Sequence, residues 1–416
     1  MEQKQFKLYG YRWVVLSVVM FINLTIQILW ISYAPITTQA ASYYGVSELY
    51  IGFFAMSFMA AFIPLSIPVS WMLDSIGFKP AVSIGVILMG VFGVLRGLAG
   101  ANYTLAMLCT VGLAIAQPFL LNAWTIVAAK WFAIEERATA VGLITVANLI
   151  GTAIGMVVTP IMLSAGVTIA QTQLLFGVIA AVSSALFLLL AKEKPASPPC
   201  PPGQDARALM VDGLKHALTV GPFWLYLAVI FVGLGIFNGL TTWIQVIIGP
   251  RGFSSEDAGI VGAVFLISGI FGAGILPIFS DRQHKRRRYL LLGVIGAIPG
   301  MIGLTFAGNY WLLLISAFVM GFFLVSVSPI GMQYSAEVTY PTPEGTSNGL
   351  IQLAGQASVV FVYIMQWLSG FFNNSFTPAM LMSTVLLIVC LFLVSFMKDP
   401  SEYALSHKQE RSMSQA

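Results

Sequence analysis

The chain has 416 residues, of which 58% are hydrophobic and only 9% are charged. A soluble domain carries about a quarter charged residues, because polar groups must cover its surface. The composition excludes a cytosolic enzyme, a nucleic-acid binder and a secreted disulfide scaffold, and the net charge of +4 reads as membrane orientation rather than as affinity for a nucleic acid.

A bilayer-crossing helix needs about 20 mostly apolar residues. Such stretches fall at 12–36, 50–73, 78–99, 103–126, 138–163 and 170–191. A second set falls at 222–248, 257–280, 289–307, 309–333, 346–370 and 376–397. The expected fold is an all-α membrane protein of twelve transmembrane helices in two six-helix halves. Barrel strands would alternate apolar and polar residues, and these stretches do not. The first stretch is too long for a signal-peptide core, and a proline and polar residues follow it, so it reads as a retained helix. Between the sets lies KEKPASPPCPPGQDARA, Lys192 to Ala208. Its prolines, Pro195, Pro198, Pro199, Pro201 and Pro202, forbid a helix and mark a linker. The expected organisation is 1–191 as the first half, 192–219 as a cytoplasmic linker, 220–397 as the second half and 398–416 as a cytoplasmic tail. The three cysteines, Cys109, Cys200 and Cys390, are scattered. They predict neither a disulfide framework nor a metal site, and no cofactor is expected.

With both termini in the cytoplasm, eighteen of the 20 basic residues fall on the cytoplasmic side. They include Arg12, Lys79, Lys130, Arg137, Lys192, Lys194 and the run Arg282 to Arg288. Only Arg96 and Arg251 fall at the other side. This is a strong positive-inside bias. Arg96, near the far end of the third stretch, is expected to snorkel to the headgroups, with a substrate role as the alternative.

Local patterns recur at matching places in the two halves. WMLDSIGFK follows the second stretch and IFSDRQHKRRR the eighth. KWFAIEERATAVGL follows the fourth and AEVTYPTPEGTSNGL the tenth. These loops resemble those of the major facilitator superfamily, although Ser70 stands where its signature between helices two and three begins with Gly. The resemblance implies two pseudo-symmetric halves that rock about a midplane site. Asp74, Lys79, Lys130, Glu136, Arg137, Asp281 and Arg282 are then candidate gating residues. Asp74 can accept hydrogen bonds from a helix N-terminus and pair with Lys130 or Arg137. The alternative is that these charges only mark the membrane boundary.

Every acidic residue falls in a loop, a tail or a helix end, so a site in the membrane must be built from neutral polar groups and aromatics. On the first helix Asn23, Gln27 and Trp30 are spaced by four and three and share a face, which Tyr33 extends. The fourth helix carries Gln117 and Trp124, and the fifth Asn148. The seventh carries Asn238, Thr242 and Gln245 on one stripe beside Trp243. The eleventh carries Gln352 and Gln356. These amides face inward, either towards a solute or as hydrogen-bonding glue between helices. Trp30 lies well inside its helix, whereas Trp prefers the interface. Its face can attract an ammonium group through cation–π contact, or it can simply pack. Gly142, Gly151 and Gly155 follow an antiporter-like spacing, but Met156 replaces the expected proline, and they read as helix packing.

Four segments, YRWVVLSVVM, WISYAPI, YGVSELYIGFFAMSFMAAFIPLSIPVSWMLDSIGF and PEGTSNGLIQLAGQ, resemble a narrower group. This is the feline leukaemia virus subgroup C receptor-related carriers, associated with choline, ethanolamine and haem. The resemblance implies that Trp30 and Gln356 match residues of that group's choline cage. Asn238 and Leu149 depart from it, standing where the group has Tyr and Gln.

The function expected is alternating-access transport of a small polar or cationic organic solute, driven by membrane potential. A proton-coupled or haem-related exporter, or a non-transporting receptor, is the alternative. The expected partners are a small-molecule substrate and membrane lipids, with no nucleic acid, and a monomer in a plasma or bacterial inner membrane.

Overall fold

The computed structural model describes residues 8–197, 211–283, 285–340, 342 and 344–400. Among these residues the chain forms α-helices and short 3-10 turns, with no strand. Before the linker come α1 (Tyr11–Ile31), α2 (Thr37–Tyr44), α3 (Glu48–Ser75), α4 (Phe78–Leu98), α5 (Tyr103–Leu121), α6 (Trp124–Trp131), α7 (Ile134–Ser164) and α8 (Ile169–Leu190). After it come α9 (Val211–Thr219), α10 (Gly221–Ile248), α11 (Ser255–Gln283), α12 (Arg286–Phe306), α13 (Tyr310–Val338), α14 (Glu344–Ala357), α15 (Val359–Gly370) and α16 (Thr377–Phe396). Lys4, Lys7, the run 198–210, His284 and the tail from 401 lie outside the described residues.

Among the described residues twelve helical segments are long and apolar enough to cross a membrane, one in each stretch read from the sequence. Helix is the economical answer in hydrocarbon, because each segment then satisfies its own backbone. Three of the spans are interrupted. The first breaks between α1 and α2, the fourth between α5 and α6, and the eleventh at Ser358 between α14 and α15. The proline-free end of the expected linker is itself helical, forming α9. Ala217 and Val220 are buried in the apolar core that follows it, which is why 211–219 orders as a helix.

Several helix starts are capped by the residue just before them. Asn102 accepts from Leu105 N–H at 3.0 Å. Thr168 and Gln171 form a reciprocal capping box. Ser254 and Asp257 do the same, at 2.8 and 3.1 Å. Asn309 accepts from Trp311 and Leu312 N–H. All four lie at the ends of spans opposite the basic loops.

The chain divides into two compact units. The first holds Met1–Asp205 and Thr241–Ala263; the second holds Ala206–Leu240 and Val264–Ala416. In the first unit α4 lies tightly on α8, where Gly93 and Gly177 bring the two backbones together. Gly151 and Gly155 of α7 lie against Leu24 and Ile28 of α1. Those two positions serve packing, as expected, whereas Gly142 faces open space. The segment 241–263 joins this unit through specific contacts. The Trp243 ring covers Gly52, Met156 packs on Gly259 and Gly262, and Gln245 Oε1 accepts from Thr38 N–H at 2.8 Å. In the second unit α12 packs along α13 over a core that includes Tyr226, Leu290, Val327 and Tyr334.

Candidate functional site

In the first unit the polar stripe of α1 runs up to the point where that helix breaks. Trp30 is 7% exposed, and its indole N–H donates to Ala55 O of α3 at 3.2 Å. That bond anchors the N–H edge of the ring. Gln27, one turn earlier, is buried. The contacts of Gly151 and Gly155 set α7 parallel to α1, with a constant register between positions 24 and 151 and between 28 and 155. Asn148 precedes Gly151 by three residues and so faces α1 as well. Asn148 Nδ2 and Gln117 Oε1 are both buried without a partner among the described residues. Each is a polar capacity that a buried site rarely leaves unused.

Five expected lining residues are instead held by internal contacts. Asn23 accepts from Trp124 Nε1 at 2.8 Å and donates to Val19 O at 2.9 Å, so its amide is spent on joining two spans. The same bond anchors Trp124 by its N–H and leaves the ring half-buried. Tyr33 is stacked on Phe54 at 4.4 Å, carries the Arg96 guanidinium at 5.4 Å, and shares its hydroxyl with Tyr44 at 2.7 Å. Its ring is therefore not open to a solute. Trp243 is fully buried against Gly52, and Gln245 holds the Thr38 backbone. The seventh-span stripe is thus divided between the two units.

In the second unit Asn238 Nδ2 donates to Ser358 Oγ at 3.3 Å, and Ser358 Oγ donates to Gly355 O at 2.5 Å. Asn238 is tied to the break in the eleventh span. Gln352 and Gln356 sit one turn apart on α14 just before that break, both half-buried. The break ends the helical stripe that they begin.

Arg96 does not snorkel. It is 1% exposed. Its guanidinium donates to Leu29 O at 2.9 Å, Ser32 Oγ at 3.3 Å and Gln173 Oε1 at 2.7 Å. Tight packing of α4 on α8 places it inside the unit, beyond reach of the headgroups.

The charges at the basic ends also differ from the expected scheme. Asp74 is exposed, and Glu193 takes both roles foreseen for it. Glu193 accepts from Phe78 N–H at 3.1 Å and Lys79 N–H at 2.6 Å, capping α4, and it pairs with Lys130. Glu193 reaches both because α8 delivers it beside α4. Arg137 donates to Phe132 O and Ala129 O, at the end of α6. Glu136 pairs with Arg12 at 3.0 Å. In the second unit Asp281 pairs with Arg286, which also holds Glu337 at 2.8 Å. Asp399 accepts from Arg287 N–H at 2.9 Å. Arg282 is exposed. Each of these four ion pairs joins residues of one unit. Glu193, Asp399, Arg286 and Arg12 were not singled out from the sequence. A usable signal was present: Glu193 stands three residues after the end of α8, and Asp399 three after the end of α16. Among the described residues no group of His, Cys, Asp and Glu gathers to hold a metal ion.

Twelve spans in two units, with loop motifs that recur, specify a family, and the sequence pattern described as Major Facilitator Superfamily matches residues 15–308 and 247–414. The chain belongs to the major facilitator superfamily. It is a multi-pass integral membrane protein of a transporter family. Solute carrier family 49 member A3 of Xenopus tropicalis is 27% identical over 393 residues, covering 90% of this chain and 81% of that protein. The choline/ethanolamine transporter FLVCR2 of Rattus norvegicus is 29% identical over 384 residues, covering 88% and 70%. The human protein of that name is 29% identical over 374 residues, covering 85% and 71%. These similarities agree with the narrower resemblance carried by the four sequence segments. Among solved structures, a bacterial homologue of the human lysosomal transporter Spinster, in an inward-facing and unoccupied conformation, superimposes with a TM-score of 0.74. It is 15% identical and covers 96% of this chain and 99% of that one, which establishes the shared fold.

Proposed function

We propose that this transporter moves a small polar organic solute, cationic and resembling choline or ethanolamine, by alternating access. A cation of this kind is driven inward by an inside-negative membrane potential. The observation that carries the reading is Trp30: an indole deep in a span, its N–H anchored to Ala55 O, placed where the helix breaks. A tryptophan face attracts an ammonium group without a formal counter-charge. Discontinuous helices are where such carriers commonly place their sites. Gln27, Gln117 and Asn148 from the first unit, and Gln352 and Gln356 from the second, are the neutral groups proposed to meet the hydroxyl or amine of the solute. The relatives that are named choline/ethanolamine transporters support this choice. Asn238 supplies an amide where their group has an aromatic ring, so cation affinity rests on Trp30 and on the ring of Trp124. The basic-end residues Lys130, Glu136, Arg137 and Asp281 are proposed to keep each unit rigid while it rocks, and Asp74, Lys79 and Arg282 are proposed as gating residues.

The test is uptake of labelled choline and ethanolamine into proteoliposomes, with and without an inside-negative potential. Potential-driven uptake is expected. Trp30→Ala should remove about 2 kcal/mol of cation–π attraction, roughly a 30-fold loss of apparent affinity. No uptake by folded, reconstituted protein would end the choline reading.

A further inference from the structure

The first span runs from Tyr11 to Tyr44, yet α1 stops at Ile31. At the break Ser32 N–H still donates to Ile28 O at 3.1 Å. The next carbonyl, Leu29 O, is met by side chains. Pro35 has no N–H to offer Ile31 O. An interrupted helix within a span needs its freed carbonyls satisfied by other parts of the protein.

Arg96 supplies that need from a different helix. Nη1 donates to Leu29 O at 2.9 Å. Nη2 donates to Gln173 Oε1 at 2.7 Å and to Ser32 Oγ at 3.3 Å. Ser32 Oγ in turn lies 3.3 Å from Leu29 O and 3.2 Å from Gln173 Oε1. The guanidinium also lies over the Tyr33 ring. Three neutral oxygens and a ring face thus surround a charge that takes part in none of the four ion pairs described. Gly93 and Gly97 flank Arg96 on α4 and lie against Gly177 and Leu174 of α8. That close approach lets one guanidinium reach α1 and α8 together. A planar fork can hold three acceptors on two helices, whereas an ammonium acts as a point charge.

Leu29 C=O and Trp30 N–H belong to one planar peptide unit. A bond to Leu29 O therefore fixes the plane from which the Trp30 side chain departs. We infer that Arg96 is a positioning residue for Trp30: it replaces the backbone hydrogen bond that Leu29 O loses where α1 breaks, and so sets the backbone from which that indole departs. The consequence for transport rests on the reading of Trp30 as a site residue; the positioning itself does not.

The test uses full-length protein labelled with 5-fluorotryptophan, read by fluorine NMR in detergent. The chain has nine tryptophans, and Trp30→Phe identifies the Trp30 signal. Arg96→Gln is expected to move the Trp30 signal by more than its linewidth. The signals of the exposed Trp71, Trp224, Trp311 and Trp367 should stay in place. Arg96→Lys should bring the Trp30 signal part of the way back. An unmoved Trp30 signal in folded Arg96→Gln overturns the inference, even if stability falls. Should Arg96→Gln not fold, Gln173→Leu removes one acceptor of the guanidinium and decides the matter: a smaller shift confined to Trp30 supports positioning, and no shift overturns it. A Trp30 shift in protein that does not take up choline leaves positioning standing and ends the substrate reading. Trp30-dependent uptake with an unmoved signal does the reverse.

Discussion

The basic ends of the two units solve the same problem with opposite signs. In each, the helix that opens the third span of its half begins with N–H groups that lack helical partners. In each, an acid three residues past the last helix of that half fills the gap: Glu193 on α4, Asp399 on α12. Around this shared cap the charges are inverted. In the first unit one anion, Glu193, serves two N–H groups and Lys130. In the second, one cation, Arg286, serves Asp281 and Glu337. The backbone requirement recurs in both halves because helix ends always expose donors. The side-chain hub is free to change sign, because a hub of either charge ties the helices together.

Substitutions can break this comparison, and Arg286→Ala should do so most strongly. Its side chain is 6% exposed and holds two carboxylates. Removing it should cost about 3 kcal/mol, because two acids lose their partner near a buried position. An unchanged thermal midpoint in detergent would show that the carboxylates are simply hydrated and that no cationic hub exists. Gly77→Ala comes next. Gly77 precedes α4 at φ 101° and ψ 166°, a region that is essentially glycine-only, and a Cβ there would lie 2.9 Å from Glu193 Oε1. The expected cost is about 2 kcal/mol. The smallest effects sharpen the comparison. Glu193→Ala should lower stability by about 2 kcal/mol and Asp399→Ala by about 1 kcal/mol, because Glu193 meets three donors and Asp399 one backbone N–H. Equal losses would mean that Lys130 contributes nothing and that the hub of the first unit is only a cap.

The caps also show what a reader of the chain can and cannot see. Asn102, Thr168, Ser254 and Asn309 cap helices that start within three residues of them. Such signals are local and need no fold. The caps of α4 and α12 come from 115 and 112 residues away, so Asp74, the acid adjacent in sequence, could not point to them. Trp30 was legible as an anomaly of position, a tryptophan away from the interface. Asn23 and Trp124 were each legible as inward-facing, but not their bond to one another, which commits both groups. Tyr33 continued the stripe of α1 only on the premise of an unbroken helix. The break at Ser32 turns it onto Phe54 and Arg96.

Hydropathy by itself determined the twelve spans, and the distribution of Lys and Arg separated their two kinds of end. Both follow from transfer free energies summed over about 20 residues, which no tertiary detail reverses. Only the tertiary structure decided which prolines accompany a break. Pro64, Pro68, Pro160, Pro277 and Pro329 lie inside continuous helices, whereas Pro35 adjoins a break. It decided as well that Arg96 stays inside. A helix can open, and a charge can remain buried, only where another helix brings the donors or acceptors that the opening and the charge require. That pairing is a property of packing, and no single segment of the chain contains it.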